Sequence, residues 1–222
     1  MESDEIMMNS GELVSSMYNC WLKFKLCDEK VLDGYKAYFK YIVVKSNNRI
    51  ISNAANELKK ALSNIKDVDI EIIGNIPESN CIFVGTLDDF KAEGFNVDLN
   101  DKLKSEGFAL KILEGNGRKV LSVIGGSEKG VLYGAFHLIR SIFSGKNLKD
   151  ALCIDNPQNA FRILNHWDNM DGNIERGYAG KSIFFKDNRI VDDLSRIKDY
   201  ARLLASIAIN GVVINNVNVH LQ

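Results

Sequence analysis

RILNHWDNMDGNIERGYAGKSIF, residues 162–184, decides how the end of this chain is read. Beyond His166 it keeps neither a helical nor an alternating apolar period. It gathers His166, Trp167, Asp168, Asp171, Glu175, Arg176 and Tyr178 around Gly172, Gly177 and Gly180. FRILNHW, which leads into it from Phe161, has the texture of a short strand. The following VDDLSRIKDYARLLASIAIN reads as a helix, with Asp192 or Asp193 as cap and Leu194, Ile197, Tyr200, Ala201, Leu204 and Ala208 inward. Asn210-Gly211 reads as its stop, and VVINN as a second apolar strand. Strand, long loop, helix, strand is a βαβ unit, because parallel strands need a crossover. In folds built from such units, ligands bind at the carboxyl ends of the strands, where Trp167, Asp168 and Asn169 stand.

Working back from there, residues 145–160 form a polar connector containing Pro157, and a domain boundary falls in it. The chain before it carries the signals of an α/β sandwich. YKAYFKYIVV ends in a strand-like run. Residues 48–64 read as an amphipathic helix with Ile51, Ala54, Ala55, Leu58, Ala61 and Leu62 on one face. VDIEIIG (68–74) alternates and CIFVG (81–85) is apolar throughout, so both read as strands. GFALKIL and KVLSVIGG flank EGNGR and predict a hairpin. SEKGVLYGAFHLIRSIF then reads as a helix packed on the sheet, with Ser127 as N-cap.

Composition narrows the function. With net charge -1, 45% hydrophobic and 26% charged residues, the chain is an ordinary globular one. No basic stripe favours nucleic acid, and no apolar run reaches the ~18 residues that span a bilayer. The acidic start MESDEIMMNSGELV lacks the apolar core of a signal peptide, so the expected location is the cytoplasm. Cys20, Cys27, Cys81 and Cys153 make no CxxC and do not read as a zinc site. Cys81 reads as a small buried hydrophobe.

Several chemistries can be weighed on the residues. Asp168, Asp171 and Glu175 suit a glycosidase, whose reaction needs two carboxyl groups across a bond, although sequence spacing does not give their separation. Trp167 offers a flat face for a sugar ring, Asp168 and Asn169 partners for hydroxyls, and Arg176 a partner for a carboxylate. Structural readings stand beside these: a core aromatic for Trp167, a turn cap for Asp168, a mutual pair for Glu175 and Arg176, and packing roles for His166 and His137. There is no GxSxG and no evident Ser or Cys partner for a histidine. GGSEKGVLYG lacks the Gly-Lys-Ser/Thr ending of a phosphate loop, and GNGRKV lacks the third glycine of a dinucleotide fingerprint. Two parallel strands and one helix also cannot cover their own faces. The expectation is therefore the front of a longer enzyme.

These residues carry a family resemblance. The 162–184 stretch, the helix after it and NGVVINNVN look like the start of the barrel in family 67 α-glucuronidases. YNCWLKF, the hairpin and GGSEKGVLYGAFHLIR resemble that family's N-terminal domain, which is also similar to the domain preceding the barrel in β-hexosaminidases. The resemblance implies an N-terminal α/β accessory domain over residues 1–155 and the incomplete start of a (β/α)8 barrel over 156–222. It implies an inverting hydrolase that removes glucuronic or 4-O-methylglucuronic acid from xylo-oligosaccharides in xylan degradation, with no metal or organic cofactor. Complete members often form homodimers. Trp167 matches a position lining the uronic-acid pocket, and Val217 one close to the sugar's 4-position. Asp168, Glu175 and Arg176 match further motif positions. The family's catalytic carboxylates come from later barrel strands, so this chain supplies part of a pocket wall and no catalytic residue. A stand-alone carbohydrate-binding or scaffold module, and an inactive relic, are the alternative readings.

Overall fold

The computed structural model describes residues 24, 28–99, 101–115 and 117–214. After two short 3-10 turns, the strands β1 (Tyr41–Val43), β2 (Glu71–Ile73), β3 (Cys81–Thr86), β4 (Phe108–Gly115), β5 (Arg118–Gly125) and β6 (Cys153–Asp155) form one sheet in the order β2-β1-β3-β5-β4-β6. β4 alone runs against its neighbours. Alternation along the strands divides the core. Ile82 and Val84 of β3 point to one face, beneath the helices α1 (Arg49–Leu62) and α3 (Glu128–Phe143). Cys81 and Phe83 point to the other, under the short α2 (Leu87–Ala92) and Leu99.

Local chemistry explains most element ends. Asn48 Oδ1 accepts from the amides of Ile50 and Ile51 and starts α1. The six apolar residues expected on its inner face are the six that are buried. Thr86 and Asp89 cap α2 reciprocally, the Asp89 carboxylate accepting from Thr86 N at 2.7 Å and Thr86 Oγ1 accepting from Asp89 N at 3.3 Å. Ser127 occupies the N-cap position of α3, but its side chain makes no capping hydrogen bond. Instead the glycines of GGSEKGVLYG bring α3 close to the sheet. A Cβ at Gly126 would lie 2.0 Å from Lys104 O, and one at Gly130 2.1 Å from Gly107 O. This stretch is a packing device.

The structure corrects the reading of residues 145–160 as a plain connector. They contain the one-turn α4 (Leu148–Ala151) and β6, which adds to the edge of β4 at Phe108, Ala109 and Leu110. The strand expected over 68–74 is shorter, spanning 71–73.

After β6 comes β7 (Ile163–His166), a small hairpin of β8 (Phe185–Lys186) and β9 (Arg189–Ile190), then α5 (Ser195–Ser206) and β10 (Gly211–Ile214). β7 and β10 are parallel, with Ile163 opposite Gly211 and His166 opposite Ile214. This is the expected βαβ unit. Asp193 accepts from Ser195 N at the start of α5. Asn210-Gly211 does not end the helix, however: the chain leaves it through Ala208 at φ 58°. Asn210 has another task, holding Arg162 N and Ala160 O, and Gly211 is already in the strand.

A polar latch joins this unit to the sheet domain. Glu106 accepts from Arg162 at 2.5 Å, Lys129 at 3.1 Å and Asn210 at 3.1 Å. Arg202 on α5 meets both oxygens of Glu57 on α1, at 2.6 and 2.8 Å. Burial pushes the Glu106 carboxyl up. The hydrogen bonds from Arg162, Lys129 and Asn210 outweigh that and hold it below its ordinary range. Its contribution to stability is therefore present above the unfolded carboxylate value of about 4.3 and is lost as pH falls through the lower folded value. Acid titration of unfolding should show wild type losing stability faster than Glu106→Gln below about pH 4. Parallel curves would remove Glu106 from the latch.

Candidate functional site

The segment after β7 is a tightly bonded loop. Trp167 O accepts from Glu175 N at 2.8 Å, and Asn169 N donates to Asn173 O at 2.8 Å. Asp168 bridges Ile174, and Asn173 bridges Lys181. Ser182 N closes onto Gly172 O at 2.9 Å. Gly172 lies at φ 95°, and a Cβ there would meet Phe185 O at 3.0 Å, so the loop requires glycine at this point. Its outer end is pinned where Asn188 N reaches Met170 O at 2.8 Å.

The candidate residues fall on different levels of this loop. Trp167 is 45% exposed at the carboxyl end of β7, with Met170 also exposed nearby in sequence. Asp168 is 1% exposed, so it lies beneath the surface. Glu175 is half-buried at φ 52°, and Arg176 is exposed. The Tyr178 hydroxyl bonds the Glu175 carboxylate, and that bond raises the phenol above its ordinary value. Val217 lies outside the described residues. Asp171 accepts from both the amide and the side chain of Asn173, at 2.8 and 2.9 Å, which makes it a loop brace.

His166 faces the helix side. Its Nε2 is 2.6 Å from the Tyr200 hydroxyl on α5, and its Nδ1 is 3.5 Å from Asp168 Oδ2. Its ring meets those of Phe184 and Tyr200 edge-on, with centroids 5.1 and 5.3 Å away. The role of Tyr200 went unread in the sequence beyond its inward placement, because its partner is 34 residues away.

The structure also brings together a histidine and a cysteine. His137 Nε2 lies 3.7 Å from Cys153 Sγ beside an open groove lined by residues 110–113 and 152–154. Burial and the charge of Asp155 push the thiol up. Burial and the charges of Arg140 and Lys146 push the imidazole down. Both shifts favour the neutral pair over thiolate and imidazolium, the reverse of an activated nucleophile. Cys81 is fully buried and its thiol is pushed up to about 11, mainly by that burial. Among the described residues no group of three or more His, Cys, Asp or Glu is placed to hold a metal ion, and no helix is long and apolar enough to cross a membrane.

Comparison with known proteins identifies the family. Residues 20–138 match the glycosyl hydrolase family 67 N-terminus and residues 141–222 that family's middle domain. Alpha-glucuronidase A of Aspergillus tubingensis is 36% identical over 206 residues, covering 90% of this chain and 23% of that protein. Probable alpha-glucuronidase A of Aspergillus oryzae is 38% identical over 210 residues, covering 90% of this chain and 24% of its own length. The chain thus spans about a quarter of the length of these relatives. Among solved structures, a family GH115 4-O-methyl-α-glucuronidase with specificity for decorated arabinogalactans shares the fold. Its TM-score is 0.52 at 16% identity, over 78% of this chain and 25% of that one. The chain belongs to glycosyl hydrolase family 67, with the family's N-terminal domain followed by sequence of its middle domain.

Proposed function

We propose that this chain is the front portion of an α-glucuronidase. Residues 1–155 form an accessory domain of the kind that precedes the barrel in β-hexosaminidases, and residues 156–222 open a (β/α)8 barrel. The substrate is a xylo-oligosaccharide bearing glucuronic or 4-O-methylglucuronic acid. The reaction is hydrolysis with inversion, in which one carboxyl group protonates the leaving oxygen and a second activates water on the opposite face. Those carboxylates belong to the part of the enzyme that this chain does not span. Here Trp167, Glu175 and Arg176 make one wall of the pocket, Asp168 supports it from beneath, and Val217 is assigned to the same pocket by the family resemblance alone.

One observation supports this reading above the others. Trp167 leaves the carboxyl end of β7 with nearly half its surface exposed, on a two-stranded sheet whose Ile163, Leu164, Val212, Val213 and Ile214 are also exposed. An aromatic plane at that end of a strand is where a barrel receives its ligand, and open strand faces of this kind await the rest of a barrel. Buried Asp168 and loop-braced Asp171 are poorly placed for acid–base work.

The test is release of glucuronic acid from a short aldouronic acid by the protein extended past Gln222 in its own reading frame. Trp167→Ala in that protein should lower kcat/KM by roughly 10- to 100-fold, mostly through KM, as expected for lost stacking and orientation. An extended protein that releases no uronic acid would sink the assignment. Uronic-acid binding by the 222-residue chain alone would favour a binding module.

A further inference from the structure

Side chains alternate along β7 and into the residue after next, so His166 and Asp168 share one side of the chain and Trp167 takes the other. The His166 side carries a polar set inside an aromatic enclosure. Tyr200 reaches across from α5, Phe184 closes the edge, and Asp168 lies below. Asp168 Oδ2 is buried and has no hydrogen-bond partner among the described residues. Such an atom is costly and calls for a reason. The group facing it is His166 Nδ1, 3.5 Å away.

The tautomer follows from these contacts. With a proton on Nδ1, the ring donates toward the carboxylate, and Nε2 is free to accept from the Tyr200 hydroxyl. With the proton on Nε2 instead, a nitrogen lone pair would face a buried carboxylate oxygen. Tyr200 accommodates either tautomer, since its hydroxyl can donate to a bare Nε2 or accept from Nε2–H; Asp168 decides between them, because only the first points a donor at its buried oxygen.

We infer that Tyr200, His166 and Asp168 form an ordered chain, Tyr200 O–H to His166 Nε2 and His166 Nδ1–H to Asp168 Oδ2, that fixes the backbone on both sides of Trp167 and so aims its indole. The three are positioning residues. Their link to a sugar rests on the function proposed above, whereas their coupling to Trp167 does not. A strand of four residues with one paired neighbour among the described residues holds its end weakly, and the hydrogen-bonded chain ties that end to α5, which is itself tied to the sheet domain through Arg202 and Glu57.

The sequence holds two tryptophans, so a Trp21→Phe background leaves Trp167 as the sole indole reporter. In that protein, long-range 1H–15N spectra should show His166 protonated at Nδ1. The Trp167 indole N–H should give one sharp resonance. His166→Ala and Tyr200→Phe should shift or split it. His166→Asn should partly restore it, because the amide nitrogen stands near the place of Nδ1 and keeps the donor to Asp168. Circular dichroism and melting keep unfolded variants apart, and Tyr200→Phe removes only one oxygen. An Nε2–H tautomer, or an indole resonance identical in all folded variants, overturns the inference. In the extended enzyme, Tyr200→Phe should raise KM by about fivefold with kcat nearly unchanged. If the indole responds but KM does not, the coupling stands and the assignment of Trp167 to the sugar falls.

Discussion

Gly130→Ala should destabilise the protein by about 2 kcal/mol, although the same exchange in an ordinary helix interior gains about 1 kcal/mol. The sign turns on one contact. A Cβ at Gly130 would lie 2.1 Å from Gly107 O, a backbone atom that has no rotamer through which to move away. That carbonyl already accepts from Gly126 N at 3.0 Å, so pushing it aside strains the hydrogen bond as well. Overpacking costs about 1–3 kcal/mol and a lost backbone bond about 1 kcal/mol more, which together exceed the helix-propensity gain. Gly74 is the control: a Cβ there meets nothing within 4 Å, and Gly74→Ala should stay within about 0.5 kcal/mol of wild type. Urea melts of the two variants decide the matter. An unchanged midpoint for Gly130→Ala would show that α3 can lift from the sheet without penalty.

Arg162→Ala should cost somewhat more, about 3 kcal/mol, and in a different place. Arg162 donates to Ala208 O at 2.6 Å, to Asn159 O at 2.7 Å and to Glu106 at 2.5 Å, and its guanidinium sits over the Tyr133 ring at 5.7 Å. Truncation leaves Glu106 partly buried with, among the described residues, Lys129 and Asn210 as its remaining partners. The loss should therefore be local first. Amides of Ile163–His166 and Gly211–Ile214 should exchange hydrogen faster, while those of β3 and β5 keep their protection. Equal acceleration across both sheets would mean that the latch is part of one cooperative unit and not a joint between two.

The sequence was legible where the signal was local and periodic. Residues 51–62 named their own buried face, the hairpin announced itself at Gly115–Gly117, and the βαβ unit followed from the texture of 162–214. What escaped depended on distant partners or on short signals. β6 is three residues long and owes its conformation to the edge of β4, not to any pattern in Cys153-Ile154-Asp155. α2 is announced only by the Thr86/Asp89 capping pair. The β8–β9 hairpin turns on Asp187 and Asn188, both at positive φ, a turn signature that was present in the sequence but set between strands of two residues each. In the site, the rank of residues by depth was not readable. Trp167 and Asp168 are adjacent in sequence, yet one is 45% and the other 1% exposed. The link from His166 to Tyr200 depends on how α5 packs, and no spacing rule supplies that.

The return of β6 to β4 also sets an order of events during synthesis. Every strand of the six-stranded sheet has left the ribosome once Asp155 has emerged, and N-terminal domains fold as units while the chain is still growing. Arg162 follows seven residues later and finds Glu106 and Tyr133 already in position. The apolar strands β7 and β10 are then born beside a finished docking surface that restrains them. The same contacts that join the two sheets in the folded protein would thus shield exposed Ile163, Leu164, Val212 and Val213 as they emerge.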